Sequence, residues 1–178
     1  MPDASSEALT FTSGDDRLVG VLYLPAEAPT AAVVTTGPLT SVKEQATGAY
    51  ARALAARGFA ALAFDHRTFG ESEGDPRQFE DPEGKARDIS AAVSALEADE
   101  RTRGLPVVAV GVCAGGGYMA RAVADDQRIA AFAGVAGVYT DASAFAESSP
   151  QDYQAAIDRG LAAEQRWRDT GKAETIPA

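Results

Sequence analysis

At 178 residues and a formal charge of −10, the chain is long enough for one domain with a real core but seldom long enough for two. The acidic balance argues against nucleic acid and anionic membrane surfaces as partners, because their phosphates would repel it. A single cysteine excludes an internal disulfide and a cysteine-cluster metal site, and no metal or organic cofactor is implied because no ligand cluster exists.

In chain order, residues 8–12 and 18–24 read as two short strands around the turn Ser13-Gly14-Asp15-Asp16, a hairpin signal. Residues 31–36 form a continuous apolar, β-branched run, the pattern of a central parallel strand buried on both faces. Gly37-Pro38-Leu39-Thr40-Ser41 breaks that run. A helix is expected over 44–57, with Tyr50, Ala51 and Leu54 on one face and Gly58 closing it. Glu44 suits the positive end of that helix, and Lys43 is expected to be solvated. Residues 59–64 form the next buried strand, followed by Asp65-His66-Arg67 and a long loop over 68–82. Ile89, Val93 and Leu96 share one stripe of a helix over 82–98. Residues 107–112 form another buried strand, 116–124 a helix and 129–138 one more apolar strand. A final helix is expected over 149–170, its apolar side marked by Tyr153, Ile157, Leu161 and Trp167.

Strands separated by helical stretches imply right-handed βαβ units. The expected fold is α/β, one domain over 1–178, with a mostly parallel sheet and helices on both faces. In such sheets ligands bind beyond the C-terminal ends of the strands. No apolar run approaches the roughly 20 residues of a membrane span. The start Met1-Pro2-Asp3-Ala4-Ser5-Ser6-Glu7 does not read as a signal peptide, so a cytoplasmic location is expected.

Between the 107–112 strand and its helix lies Gly111-Val112-Cys113-Ala114-Gly115-Gly116. A reactive group flanked by small residues on a strand-to-helix turn is the pattern of a nucleophile elbow. Cys113 is therefore the candidate nucleophile, a thiolate that attacks a carbonyl to form a covalent acyl-enzyme. The free N–H groups of a helix start favour negative charge beside them. Gly111, Gly115 and Gly116 take a steric role, since side chains there would clash. The expected oxyanion hole combines the N–H of Ala114 with one from the loop after the 31–36 strand. Pro38 has no N–H, so Leu39 is the first choice and Thr40 the next. Blander readings stand beside these: Cys113 as an inert buried thiol, and 37–41 as a surface turn. A phosphate-binding loop fits less well, because no Gly-x-Gly-x-x-Gly follows the first strand.

This chemistry needs a base, and no histidine follows Cys113. The only one, His66, lies upstream. Asp65, Arg67 and Ser72 read as loop-ordering residues, with Asp65 bonding turn amides and Arg67 pairing locally; His66 is the one available replacement base, but it sits a strand away from the elbow and the same motif explains it without catalysis.

Gly111-Val112-Cys113-Ala114-Gly115-Gly116 resembles the Gly-x-Cys-x-Gly-Gly of the dienelactone-hydrolase group of α/β-hydrolases. Asp65-His66-Arg67-Thr68-Phe69-Gly70-Glu71-Ser72 is similar to the Asp-x-Arg-x-x-Gly-x-Ser loop of many members, and Val42-Lys43-Glu44-Gln45 resembles a dienelactone-hydrolase-like subgroup. The resemblance implies an α/β-hydrolase fold with Cys113 as nucleophile, followed in chain order by an acid and a histidine. Members run on for about another hundred residues, supplying two more strands and both partners. The resemblance thus implies a truncated domain that lacks the last strands.

Two functional expectations follow. The first is a hydrolase-like protein acting through Cys113 on a small ester, lactone or thioester, once the missing histidine and acid are supplied. The alternative is a catalytically incomplete fragment or paralogue that serves as a binding module or needs a second chain. In that case the 129–138 strand lies at the sheet edge, partly uncovered, and invites a homo-oligomer or another chain. The 149–170 helix is a possible cover for it.

Overall fold

The computed structural model describes residues 5–139 and 142–174. They fall into two compact units, one ending at Tyr139 and the other following it.

The first unit opens with β1 (Ser5–Ser13) and β2 (Asp16–Leu24), an antiparallel hairpin in which Ser13 pairs with Asp16. Gly14 turns the chain at φ +63, a conformation with little cost for glycine alone. Next come β3 (Ala32–Thr36), α1 (Ala46–Ala55), β4 (Ala60–Phe64), α2 (Pro82–Ala98), β5 (Val107–Val112), α3 (Ala114–Asp125) and β6 (Ile129–Val135). The sheet order is β1-β2-β4-β3-β5-β6. β4, β3, β5 and β6 run parallel, while β2 joins β4 antiparallel. This is the expected α/β architecture.

Alternation along the strands feeds two apolar layers. Leu22, Val34, Leu62 and Ala109 face α2 and α3, where Ile89, Val93, Leu96 and Met119 meet them. Val33, Ala61, Ala63 and Val110 face the other way, where Ala51 of α1 covers them. Asp81 caps α2 by accepting from the Glu83 N–H at 3.1 Å, with Pro82 at the first helical position, which explains its sharp start. β6 ends the sheet order and leaves Ala130, Ala131, Ala133 and Gly134 exposed.

Some boundaries differ from expectation. α1 begins at Ala46, not 44, because Lys43 and Glu44 are engaged in an ion-pair network described below. α3 begins at Ala114, directly after the cysteine: Gly115, Gly116 and Gly117 weaken helix propensity, but their close approach to the Gly37, Gly137 and Val138 backbone seats the first turn.

The second unit consists of α4 (Ala142–Ser148) and α5 (Pro150–Thr170). Neither buries a residue, and Gly171 ends α5 in the left-handed conformation. Phe145 meets Tyr153 edge-on, with ring centroids 6.0 Å apart. Among the described residues no helix is long and apolar enough to cross a membrane.

Candidate functional site

Cys113 stands between β5 and α3 at φ 57, ψ −124, a region that L-residues seldom occupy and that costs roughly 1–3 kcal/mol. The surroundings hold it there. Its N–H donates to the Val135 carbonyl at 3.0 Å, and its own carbonyl accepts from the N–H groups of Gly116 and Val138, each at 2.9 Å. A Cβ on Gly111 would lie 2.4 Å from the Gly115 carbonyl oxygen, and one on Gly115 would lie 2.6 Å from that of Gly37. One on Gly116 would lie 2.8 Å from the Gly137 Cα. The thiol is free and half-buried.

The β3 loop reaches the same turn. Thr36 Oγ1 donates to the Gly115 carbonyl at 3.1 Å, and Gly37 packs on Gly115, so Leu39 follows two residues from the contact. Leu39 and Ala114 bring backbone N–H groups to this end of the sheet. Neither N–H is engaged by another described residue. Thr40 takes a left-handed φ of 60.

Asp65, fully buried at the end of β4, ties this loop down. Its carboxylate accepts from the Lys43 N–H at 2.7 Å, the Lys43 Nζ at 2.7 Å and the Glu71 N–H at 3.0 Å. Asp65 thus bonds turn amides, as its motif suggests. Lys43 departs from expectation: its side chain is 5% exposed and also pairs with Glu44 and Glu71. Burial alone would lower the Lys43 ammonium, but the bonds to Asp65, Glu44 and Glu71 win and hold it well above the usual lysine range. Arg67 also departs. It reaches Asp88 on α2, donating from Nε at 2.9 Å and Nη2 at 2.7 Å, and meets Ser13 Oγ at 2.7 Å.

A buried polar cluster that sequence reasoning missed lies between the 65–82 segment, α2 and α3. Lys85, 2% exposed, donates to Glu80 Oε1 at 2.5 Å and lies 4.5 Å above the Phe69 ring. The Tyr118 hydroxyl donates to the same Glu80 oxygen at 2.5 Å. Burial pushes the Lys85 ammonium down against the pull of Glu80, and burial with the Glu80 bond pushes the Tyr118 hydroxyl up. The sequence did carry a signal, because Lys85 and Asp88 sit among the apolar stripe of Ile89, Ala92 and Leu96. His66 belongs to this cluster too. Its Nδ1 lies 3.3 Å from Asp88 Oδ2 and its ring 4.6 Å from that of Phe64. Its Nε2 and Glu80 Oε2 are buried without a partner among the described residues. The structure thus brings Cys113, Ala114 and the Leu39 loop together and commits His66 to Asp88. No group of three or more His, Cys, Asp or Glu among the described residues is arranged to hold a metal.

A model of the family described as serine aminopeptidase, S33, matches residues 44–163, more than half of the chain. The chain belongs to this α/β-hydrolase family. One relative is YcjY, an uncharacterized protein of Escherichia coli K12, 37% identical over 137 residues that cover 73% of this chain and 45% of YcjY. The crystal structure of the hypothetical protein PA2218 of Pseudomonas aeruginosa matches with a TM-score of 0.87 at 27% identity, covering 99% of this chain and 58% of that one. A dienelactone hydrolase from Anabaena variabilis has a TM-score of 0.66 at 21% identity, covering 76% of this chain and 64% of that one. Its likeness is one of fold. The chain spans less than half of YcjY and less than two thirds of both solved proteins. The family description names a serine enzyme, whereas the turn in this member carries cysteine.

The commitment of His66 to a buried site has a measurable consequence. Burial pulls its imidazole below the ordinary 6.5 and outweighs the opposing pull of Asp88. In acid the unfolded chain therefore takes up a proton that the folded chain refuses. The stability this group contributes is present above about pH 6.5 and is lost as pH falls below it, by at most about 1.4 kcal/mol per pH unit. Urea midpoints at pH 7.5 and 5.5 should record this loss, and His66→Gln should flatten it. Equal pH slopes in both proteins would remove His66 from the account.

Proposed function

We propose that this chain carries the acyl-transfer centre of a cysteine-dependent hydrolase acting on a small ester, lactone or thioester. Cys113 is the nucleophile of an elbow formed by Gly111, Gly115 and Gly116. Its sulfur attacks the substrate carbonyl carbon, the developing oxyanion meets the N–H groups of Ala114 and Leu39, and the alcohol or thiol leaves. Water then releases the acid and restores the thiol. The observation that carries this reading is the backbone of Cys113. A non-glycine residue held at φ 57 by three hydrogen bonds and a close glycine frame is strain maintained by its surroundings, which is common at functional sites.

His66 is not assigned as the base, because it is buried against Phe64 and Asp88 and makes no contact with Cys113 among the described residues. The base comes from outside the described residues, from a second chain or from water. Without a positioned base, roughly 10²–10⁴ in rate is forgone. A second reading, an interaction module without catalysis, draws support from the exposed residues of edge strand β6.

Iodoacetamide separates the two readings. In the catalytic reading Cys113 is alkylated faster in the folded chain than in the same chain unfolded in urea, followed by intact mass. Slower labelling in the folded chain would favour the module and count against the nucleophile.

A further inference from the structure

Two buried polar atoms of the first unit, His66 Nε2 and Glu80 Oε2, find no partner among the described residues. Hydrogen-bond accounting fixes what the first of them offers. The Asp88 carboxylate accepts from Arg67 Nε, Nη2 and the backbone N–H. An ionised carboxylate only accepts, so His66 Nδ1, 3.3 Å from Asp88 Oδ2, is the donor in that contact. Burial keeps the ring neutral, and a neutral imidazole carries a single N–H. Nε2 is therefore a bare lone pair, in a residue only 6% exposed.

Glu80 Oε2 is an acceptor as well, and the donors nearest to it are spent on its other oxygen. Tyr118 has one O–H, which goes to Oε1. Lys85 also donates to Oε1 and lies over the rings of Phe69 and Tyr118. The two acceptors belong to one cluster. Lys85, the partner of Glu80, and Asp88, the partner of His66, are three positions apart on α2 and both buried, so they are neighbours on one helix face. The charges of Glu80 and Lys85 also act on the His66 imidazole. Two acceptors cannot bond each other. Leaving both buried and unmatched is costly, and one species with two donors would satisfy both.

We infer that a water molecule is bound between His66 Nε2 and Glu80 Oε2 and donates one O–H to each. Buried waters make roughly two to four such bonds. A neutral ligand suits the cluster, because Lys85 already balances Glu80 and Arg67 balances Asp88. The bridge completes a polar link from His66, just past β4, through Glu80 to Tyr118 on α3. It does not depend on the reading of Cys113 as nucleophile.

His66 is the only histidine, so isotope-labelled histidine reports on it alone. In the folded chain at about pH 7.5, above the ordinary histidine range, NMR should find the ring proton on Nδ1 and none on Nε2. A high-resolution crystal structure should show one ordered water within hydrogen-bond distance of both Nε2 and Glu80 Oε2. His66→Phe keeps a ring but removes the acceptor, and that water should be lost from it. A proton on Nε2, which would let His66 donate to Glu80 directly, would overturn the inference. So would a bare Nε2 with no water reaching Glu80, or a water that stays in His66→Phe.

Discussion

Asp88→Ala is expected to cost about 3 kcal/mol of stability, read as a lowered urea midpoint. Asp88 is fully buried, and its carboxylate receives the Arg67 Nε, Nη2 and backbone N–H together with His66 Nδ1. Burial alone would raise its pKa, but the hydrogen bonds from His66 and Arg67 prevail and hold the carboxyl below the usual range. Removing it strands a buried imidazole, an N–H and much of a guanidinium. Breaking a buried pair costs roughly 3–5 kcal/mol, and the lower end applies because Arg67 keeps Ser13 and Asp16. Against a total of roughly 5–15 kcal/mol, that is a large share. Asp88→Asn keeps the shape and one acceptor, so it should lose less. A shift under about 0.5 kcal/mol for Asp88→Ala, the size of an ordinary surface change, would mean that Asp88 does not hold the 65–67 segment to α2.

The same residues mark where sequence reading succeeded and where it stopped. β5 is legible because five apolar residues interrupted only by Gly111 leave few alternatives, and α2 because Asp81 and Pro82 punctuate its start. The turn at Cys113 was legible from glycine spacing, since close packing around a sharp turn leaves little choice of residue. The start of α3 was not, because Gly115, Gly116 and Gly117 lower helix propensity and only their tertiary contacts explain them. Lys43 reads as solvated in sequence because its burial depends on Asp65, 22 positions away in the chain. The pairing of Arg67 is hidden for the same reason, its partner Asp88 being 21 positions away. Long-range ion pairs leave no mark in a local window. Lys85 did leave one, as a cation on an apolar stripe, and that is the signal to look for in other helices of this kind.

The largest functional effect is expected at Cys113. If its sulfur is the nucleophile, it becomes acylated, and the acyl-enzyme should accumulate, because releasing it requires water to be activated by a base that the described residues do not supply. The roughly 10²–10⁴ forgone without such a base slows release and makes the intermediate visible. Cys113→Ala should abolish it, since no other cysteine exists in the chain.

The most direct measurement is the intact mass of the chain after brief exposure to a butyryl thioester and an acid quench, with the modified residue located by peptide mapping. One added butyryl group is expected on Cys113 and none on the Cys113→Ala variant. An unmodified Cys113 in a folded chain, or a butyryl group that persists on another residue of the variant, would contradict it.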